Sequence, residues 1–318
     1  MNQVFSHSLF TWLQFSIIIV LKFYIEYLQQ DDKKMASTSI ISSSVYKLKF
    51  LGTGTSVGIP MVGCHCTVCL SAHPKNQRLR CSVVIETPKG KKILIDATPD
   101  LRTQFLRSKI ETLDMVFITH DHADHVHGLD DLRPLTFFNG RKPIPTYSSP
   151  ETADSLKARF PYIFQRDIVF KDRPILGGHI PLLDLHVLPI NEEKILQAHI
   201  GGEEFSFFQM PHGHTKTLGI FFASMAYLID CHEVPEPVLE FLHQQKLKVL
   251  IIDCLKRTPH TTHLHLEKSL SYIHKICPEK AFFTHLSHDF DHEQLTQELY
   301  EKGYSHVIPA YDDLEVDF

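Results

Sequence analysis

The chain has 318 residues, of which 43% are hydrophobic and 22% charged, a composition typical of a globular protein with an ample core. Its formal net charge of −5 argues against a protein that grips long nucleic acid with an extended basic surface. The cysteine count is 7, an odd number, so a framework of paired disulfides is not expected. A reducing, cytoplasmic compartment is the expected location.

The N-terminal stretch at 9–28 is apolar but does not fit a membrane-spanning helix. Lys22 and Glu26 interrupt it, and the longest apolar run is far shorter than the roughly 20 residues that a span needs. No Lys or Arg precedes the stretch, so it lacks the charged start of a secretory signal. Residues 1–45 are interpreted as an extension and linker, and Met35 offers an alternative translation start. No firm membrane association is expected, with organelle targeting or anchoring left open. A single folded domain is expected at 46–318.

The first half of that domain begins with strand patterns. Apolar and alternating runs predict strands at 46–51, 82–86, 91–96 and 115–118, and helices at 101–108, 127–133 and 153–160. Pro134 is expected to end the second helix. Residues 134–200 are otherwise poorly periodic.

The second half repeats this alternation of strands and helices. Strands are predicted at 204–210, 219–223, 226–230, 249–253 and 281–284, and helices at 237–245, 266–276 and 293–302. Two strand-rich halves with helices between them predict two sheets packed face to face and covered by helices.

The strand at 115–118 leads into the run Thr-His-Asp-His-Ala-Asp-His at 119–125. His120 and His122 lie two residues apart, so on extended backbone both imidazoles point the same way and can reach one cation. Asp124 and His125 follow as the chain turns and can serve a second cation. The alternative, a polar loop in a chain with 22 histidines, does not explain why these residues adjoin a strand end. The run predicts a dinuclear metal site.

Polar residues also follow several later strands, and three cysteines cluster near the start of the domain. The strand-end residues are His212, His214, Asp230, Asp253, His285 and His288. A single such residue is more often a turn or structural residue, but the recurrence supports a shared metal site. Cys64, Cys66 and Cys69 are spaced so that they can wrap one tetrahedral Zn²⁺, the alternative being free buried cysteines.

Together these motifs resemble the metallo-β-lactamase superfamily. Within it, the chain is similar to the branch that contains phosphoribosyl 1,2-cyclic phosphate phosphodiesterase. The resemblance covers about residues 46–318 and includes the Gly-Thr-Gly at 52–54, the cysteine cluster, the Gly-Leu-Asp-Asp-Leu-Arg at 128–133 and the Thr-His-Leu-Ser-His at 284–288. It implies an α+β fold, the four-layer αββα metallo-β-lactamase sandwich.

The resemblance also implies a full set of metal ligands. Two divalent ions, Zn²⁺ or Mn²⁺, would be held by His120, His122 and His214 and by Asp124, His125 and His285, with Asp230 bridging them. His214 is preferred to His212 because the family places its ligand three residues after a Pro, here Pro211, and shortly before a Gly. A separate structural Zn²⁺ would be held by Cys64, Cys66, Cys69 and His288.

The expected activity is hydrolysis of a small, often cyclic, phosphodiester by a metal-bridging hydroxide. The resemblance implies that Asp124 orients the hydroxide and that His263, preferred to His260 and His265, acts as general acid. Asp253 is expected to orient a ligand histidine. Arg133, Lys216 and Arg257 are candidates for substrate contact.

Three other functions compete with this one. They are a tRNase Z-like RNA-processing endonuclease, a glyoxalase II-like thioester or lactone hydrolase, and a metal-binding scaffold without activity. The negative net charge and the lack of a basic, Gly-rich arm argue against the first. The complete ligand set argues against the last. The expected partner is a small phosphodiester and not long nucleic acid, and a homodimer is left open.

Overall fold

The computed structural model describes residues 45–138, 140–171, 179–191 and 194–318. The predicted extension, its apolar stretch and the linker therefore lie outside the described residues. Within the described ranges, no helix is both long and apolar enough to cross a membrane.

The first sheet has seven strands in the order β14-β1-β2-β3-β4-β5-β6. Pairing is antiparallel from β14 to β3 and parallel from β3 to β6. The strands are β1 (Lys47–Gly52), β2 (Ser82–Glu86), β3 (Lys92–Ile95), β4 (Met115–Phe117), β5 (Ile144–Ser148), β6 (Leu183–Val187) and β14 (Glu315–Asp317).

The second sheet also has seven strands, in the order β13-β12-β11-β10-β9-β8-β7. Pairing is antiparallel from β7 to β10 and parallel from β10 to β13. The strands are β7 (Leu196–Ile200), β8 (Glu203–His212), β9 (Thr215–Phe222), β10 (Met225–Leu228), β11 (Val249–Asp253), β12 (Lys280–Thr284) and β13 (Val307–Pro309).

Helices connect the parallel strands in both sheets. They are α1 (Leu101–Ser108), α2 (Ala123–Val126), α3 (Arg133–Phe138), α4 (Pro150–Arg159), α5 (Pro161–Phe164), α6 (Arg166–Val169), α7 (Glu236–Gln244), α8 (Leu266–Ile276) and α9 (His292–Glu301), with 3₁₀ turns at Pro74–Asn76 and Leu129–Leu132. The expectation that Pro134 ends a helix is wrong. Pro134 lies in the first turn of α3, where a missing N–H costs no helical hydrogen bond.

The apolar side chains form three separate layers, which define the architecture. One layer lies between the sheets, where the rings of Phe50 and Phe282 meet at 5.6 Å. The second packs helices such as α1, through Leu101, on the outer face of the first sheet. The third packs α7, α8 and α9 on the outer face of the second sheet, for example through Leu270. The predicted α+β fold, a four-layer αββα sandwich, is confirmed.

Candidate metal centre

The residues predicted to form the dinuclear centre, except His214, meet at one edge of the sandwich, where strands of both sheets end. Their side chains form two compact groups in which the candidate ligand atoms all lie within 4.8 Å of one another. The groups are His120, His122 and His212, and Asp124, His125, Asp230 and His285. All are buried except His122, so the centre is open to solvent on that side.

Asp230 lies at the middle of the two groups. Its Oδ2 is 3.7 Å from Nε2 of His120 and 4.0 Å from Nε2 of His212, both in the first group. The same oxygen is 3.4 Å from Nε2 of His125 and 3.5 Å from Nε2 of His285, both in the second. A carboxylate within reach of both groups is placed to bridge two cations.

The preference for His214 is wrong, because the structure places His212 in this group instead. Strand β8 does not end at Met210 as predicted but runs on to His212, which pairs with Thr215 on β9. Gly213, with φ of +61°, and His214 therefore form a two-residue hairpin turn, of the kind that places Gly first. His212 is buried beside His122, with 3.1 Å between Nε2 and Nδ1, whereas His214 is exposed.

Asp96, which the sequence does not single out as a site residue, holds the motif loop in place. Its carboxylate accepts from the backbone N–H and the hydroxyl of Thr119, both at 2.8 Å, and from Nδ1 of His125 at 2.8 Å. The hydroxyl of Thr119 in turn accepts from Nδ1 of His120 at 3.0 Å. One buried carboxylate thus directs Nε2 of two histidines toward the centre, as is usual around metal-binding imidazoles.

The remaining histidines are oriented from the second sheet. Nδ1 of His212 donates to the carbonyl of Thr262 at 2.8 Å, and Nδ1 of His263 donates to Asp253 at 2.8 Å. Asp253 therefore orients His263 most directly, while its other oxygen lies 3.8 Å from Nδ1 of His285.

Among the three candidate general acids, only His263 reaches the centre. The structure brings it beside His212 and Asp230. His260 is exposed and bonds to Thr262, and His265 lies at the N-cap of α8.

Three residues of the centre have left-handed backbone conformation and lie just after a strand. Asp96 has φ of 68°, Asp230 of 49° and His285 of 58°, and none of them is Gly. Such a conformation costs of order 1 kcal/mol or more per residue, so the surrounding packing must enforce it. The turn it produces lets a side chain point back across the edge of the sheet, where the other ligands lie.

The donor set fits divalent cations. Nε2 of His120, His125 and His285 and Oδ1 of Asp230 are buried and have no hydrogen-bond partner among the described residues. Burial lowers the pKa of His120 and His212, which keeps both imidazoles neutral as metal binding requires. Burial alone would raise the pKa of Asp230, but the neighbouring histidines outweigh it and keep the carboxylate ionised.

The cysteine cluster forms a second candidate site with His288. Nδ1 of His288 lies 3.2 Å from Sγ of Cys64, 3.7 Å from that of Cys66 and 3.6 Å from that of Cys69. The backbone N–H of Cys69 donates to Sγ of Cys66 and lowers the pKa of Cys66, whereas burial outweighs the N–H donated by Met61 and raises the pKa of Cys69 to about 11. Three sulfurs around one imidazole nitrogen are the donor set of a closed, structural zinc site, and these residues fit that ion.

Two of the residues predicted to contact substrate bond to groups outside the metal centre. Arg133 donates to the carbonyl of His179, and Arg257 pairs with Glu298 at 2.7 Å. Neither contact involves the residues of the centre.

Sequence comparison agrees with this geometry. Residues 91–286, more than half of the chain, match the family described as the β-lactamase superfamily domain. The chain belongs to the metallo-β-lactamase superfamily.

Three similar proteins show how close the relationships are. A crystal structure described as a new diphosphatase from the PhnP family is 36% identical, with a TM-score of 0.74, and the match covers 86% of this chain and 97% of that one. An octanoyltransferase from Porphyromonas gingivalis is 35% identical over 83% of this chain and 50% of that protein. A ribonuclease Z from Crocosphaera subtropica is 32% identical over 35% of this chain and 32% of that protein. The chain thus spans half or less of these two curated relatives.

Proposed function

We propose that this protein is a metal-dependent hydrolase that cleaves small phosphodiesters, with cyclic phosphodiesters as its preferred substrates. The observation that carries the proposal is the position of Asp230, whose Oδ2 lies within 4.0 Å of imidazoles from both ligand groups. That arrangement suits two adjacent Zn²⁺ or Mn²⁺ ions, which would lower the pKa of water and neutralise phosphate oxygens. His120, His122 and His212 would hold one ion, Asp124, His125 and His285 the other, and Asp230 both.

His263 would supply the proton that the leaving oxygen needs. Its Nδ1 is held by Asp253, so Nε2 is the nitrogen available to a substrate. Burial alone would lower the pKa of His263, but the charge and hydrogen bond of Asp253 outweigh burial and raise it to about 9. Asp253 thus favours the protonated imidazole, which is the form that can act as general acid.

Asp124 would orient the attacking water. Its Oδ2 lies 3.2 Å from Nε2 of His125 and 3.8 Å from Nε2 of His285, at the second group. Burial alone would raise the pKa of Asp124, but His125 and His285 lower it below the usual range. An ionised carboxylate in this position can accept a hydrogen bond from water beside the substrate.

A diphosphate is the second candidate substrate. The structure that is 36% identical is described as a diphosphatase, and a diphosphate offers the same phosphoryl centre with a different leaving oxygen. The octanoyltransferase offers no candidate activity for this chain, because the chain covers only half of that protein. Ribonuclease Z-like processing of RNA remains a rival, weakened by the net charge of −5.

The decisive experiment compares substrate classes on one preparation. The full chain is assayed with Mn²⁺ and with Zn²⁺ against 2′,3′-cyclic nucleotides, bis-p-nitrophenyl phosphate, a small organic diphosphate, a thioester and a precursor tRNA. We expect the highest kcat/KM for a cyclic phosphodiester. A higher kcat/KM for the diphosphate would favour the second candidate, and turnover of the thioester alone would overturn both.

Two histidine variants test the assignment of the general acid. His263→Gln should lower kcat for phosphodiesters by about 10²-fold or more, with less effect on bis-p-nitrophenyl phosphate, whose leaving group needs no proton. His260→Gln, on the same loop but exposed, is the matched control and should keep most of the activity. Equal losses for both substrates in His263→Gln would contradict the acid role.

A further inference from the structure

Arg78 is a fully buried arginine at the junction between the cysteine cluster and the loop that follows β12. Its side chain is 1% exposed. Nη1 donates to the carbonyl of Ser287 at 3.1 Å, and Nη2 donates to the carbonyl of Phe290 at 2.8 Å. These carbonyls flank His288, and the same loop begins at His285.

The backbone of Arg78 contacts the other partner of this junction. Its N–H and C=O each bond to Ile59 at 2.8 Å. Ile59 packs with Val68 and Cys69 in a small apolar cluster beneath the cysteine loop. Arg78 thus joins the two segments that supply the four candidate zinc ligands.

The charge of Arg78 is not matched by an ion pair in the described part of the chain. The guanidinium bonds only to neutral oxygens, those of Ser287, Phe290 and Asn76, and Nε has no partner there. Burial lowers the pKa of Arg78 to about 10, so the group is still charged at neutral pH.

The nearest carboxylates are engaged elsewhere. Asp312 accepts from Thr53, Leu79 and Arg107, and Asp291 caps α9 and accepts from Asn76. The charges of Asp312 and Asp291 act on Arg78 more than that of Cys69, and burial raises the pKa of the Cys69 thiol to about 11, so Cys69 would add a negative charge here as a metal-bound thiolate. A buried cation that bonds directly to no carboxylate is stabilised when a further negative charge is close by.

The filled cysteine site would provide such a charge. A divalent ion held by three thiolates and a neutral imidazole carries one net negative charge, and a buried negative charge likewise needs a partner. We propose that Arg78 is the counter-charge of the thiolate zinc site, and that it couples filling of this site to the loop carrying His285. This inference rests on the structural zinc proposed from the cysteine cluster and not on the phosphodiesterase activity.

Cobalt binding tests the proposal without turnover. Metal-free protein is titrated with Co²⁺, and the thiolate-to-cobalt charge-transfer absorption in the near ultraviolet is recorded. The catalytic groups contain only His and Asp, so this band reports the cysteine site alone. Cys66→Ser should lose most of the band, and wild-type protein without such a band would overturn the proposal.

Two substitutions of Arg78 separate charge from geometry. Arg78→Lys keeps the charge and Arg78→Gln removes it, while both lose the two-pronged contact to the carbonyls. We expect Arg78→Gln to bind Co²⁺ about ten-fold or more weakly than Arg78→Lys, the size expected for one charge pair at low effective dielectric. Equal Co²⁺ affinities in the two variants would mean a purely structural role and overturn the proposal.

Arg80→Gln is the matched control. Arg80 lies two residues further on and has its own carboxylate partner, Asp100, at 2.9 Å. Its loss should leave the Co²⁺ affinity unchanged, and a loss as large as that of Arg78→Gln would contradict a specific role for Arg78. Circular dichroism reports folding of each variant. If Arg78→Gln does not fold, Arg78→Lys must bind Co²⁺ within about three-fold of wild type, and a larger loss overturns the proposal.

Discussion

At the scale of single residues, the metal centre depends on the hydrogen bonds that fix each imidazole ring. Asp96 serves both His125 and, through Thr119, His120. Thr262 and Asp253 serve His212 and His263. Each of these bonds leaves Nε2 facing the centre.

Asp96→Asn should weaken metal binding although Asp96 is not itself a candidate ligand. An amide cannot accept from Thr119 and His125 together without presenting a donor to one of them. We expect a loss of about 10- to 100-fold in metal affinity, measured by competition with a chromophoric chelator. Asp114→Asn is the control, because Asp114 precedes the other end of β4 and, among the residues that the structure describes, accepts from the Lys92 N–H alone. Equal affinities in wild type and Asp96→Asn would show that Asp96 does not orient the ligands.

His212→Ala and His214→Ala form a second residue-scale test. His212→Ala should lose one ligand, so that metal content falls toward one ion at the centre and kcat/KM drops by about 10²-fold or more. His214→Ala should keep the metal content and the kcat/KM of the wild type, because His214 is exposed in the turn. Metal analysis and kinetics on the two variants decide the assignment, and the reverse pattern would restore the preference for His214.

The contrast between these residues shows what sequence reasoning can and cannot find. The motif at 119–125 is local, so its ligands could be read from one stretch of sequence. Whether His212 or His214 faces the centre depends on where β8 ends. That end is set by the pairing of β8 with β9, which a local sequence pattern does not show. Asp96 acts on residues 23 and 29 positions away, which no local pattern reveals.

At the scale of elements, helix α4 holds the motif loop from outside. Ser155 donates to Oδ2 of Asp121 at 2.5 Å. Arg159 donates to the carbonyl of Asp121 and lies 2.8 Å from Nε2 of His127. Asp121 separates His120 from His122, so α4 acts on the segment that sets the spacing of two ligands.

Arg159→Ala should therefore affect the centre from a distance. Losing two polar contacts to the loop should lower metal affinity and kcat by about ten-fold, with little change in fold. The loss is measured by chelator competition and steady-state kinetics. Lys157→Ala on the same helix is the control, because within the described ranges Lys157 pairs with Asp154 of its own helix and with no other carboxylate. Similar effects of the two substitutions would point to a general loss of helix stability.

The strands that could be predicted are those with apolar runs or clear alternation. Strands β1 to β4 and β8 to β12 were all expected near their observed positions, because at least one face of each is buried. β6 and β7 lie at sheet edges, and although both alternate apolar and polar residues, each has only five residues and buries only one of them, so the pattern is short and weak. Strands in the stretch 134–200 were therefore hard to predict, partly because two of them lie at these sheet edges.

At the scale of the whole molecule, the site draws on both ends of the folded domain. The C-terminal strand β14 pairs with β1, and Gly54 forms a bridge with Leu286, next to His285. Asn76 donates to Asp291 at 2.7 Å across 215 residues of chain. The catalytic ligands of the second sheet are therefore held by contacts that only the complete sandwich can make.

His292, the first residue of α9, should make the stability of this junction depend on pH. Its side chain is buried, and Nδ1 has no partner among the described residues. Burial, reinforced by Lys75, lowers the pKa of His292 to about 4. Between pH 6.5 and 4 the unfolded chain takes up a proton that the folded chain does not. The free energy of unfolding should therefore be full above pH 6.5 and fall as the pH drops, by about 3 kcal/mol at most from this group.

His292→Phe tests this linkage, because it keeps a ring beside Tyr311, 5.6 Å away, and cannot be protonated. Urea unfolding at pH 7.5 and pH 4.5 gives the loss of stability between the two values. That loss should be smaller in His292→Phe than in wild type by about 2 to 3 kcal/mol. His274→Phe, at an exposed position on α8, should lose as much stability as wild type. An unchanged loss in His292→Phe would mean that this imidazole accepts a proton without unfolding the junction.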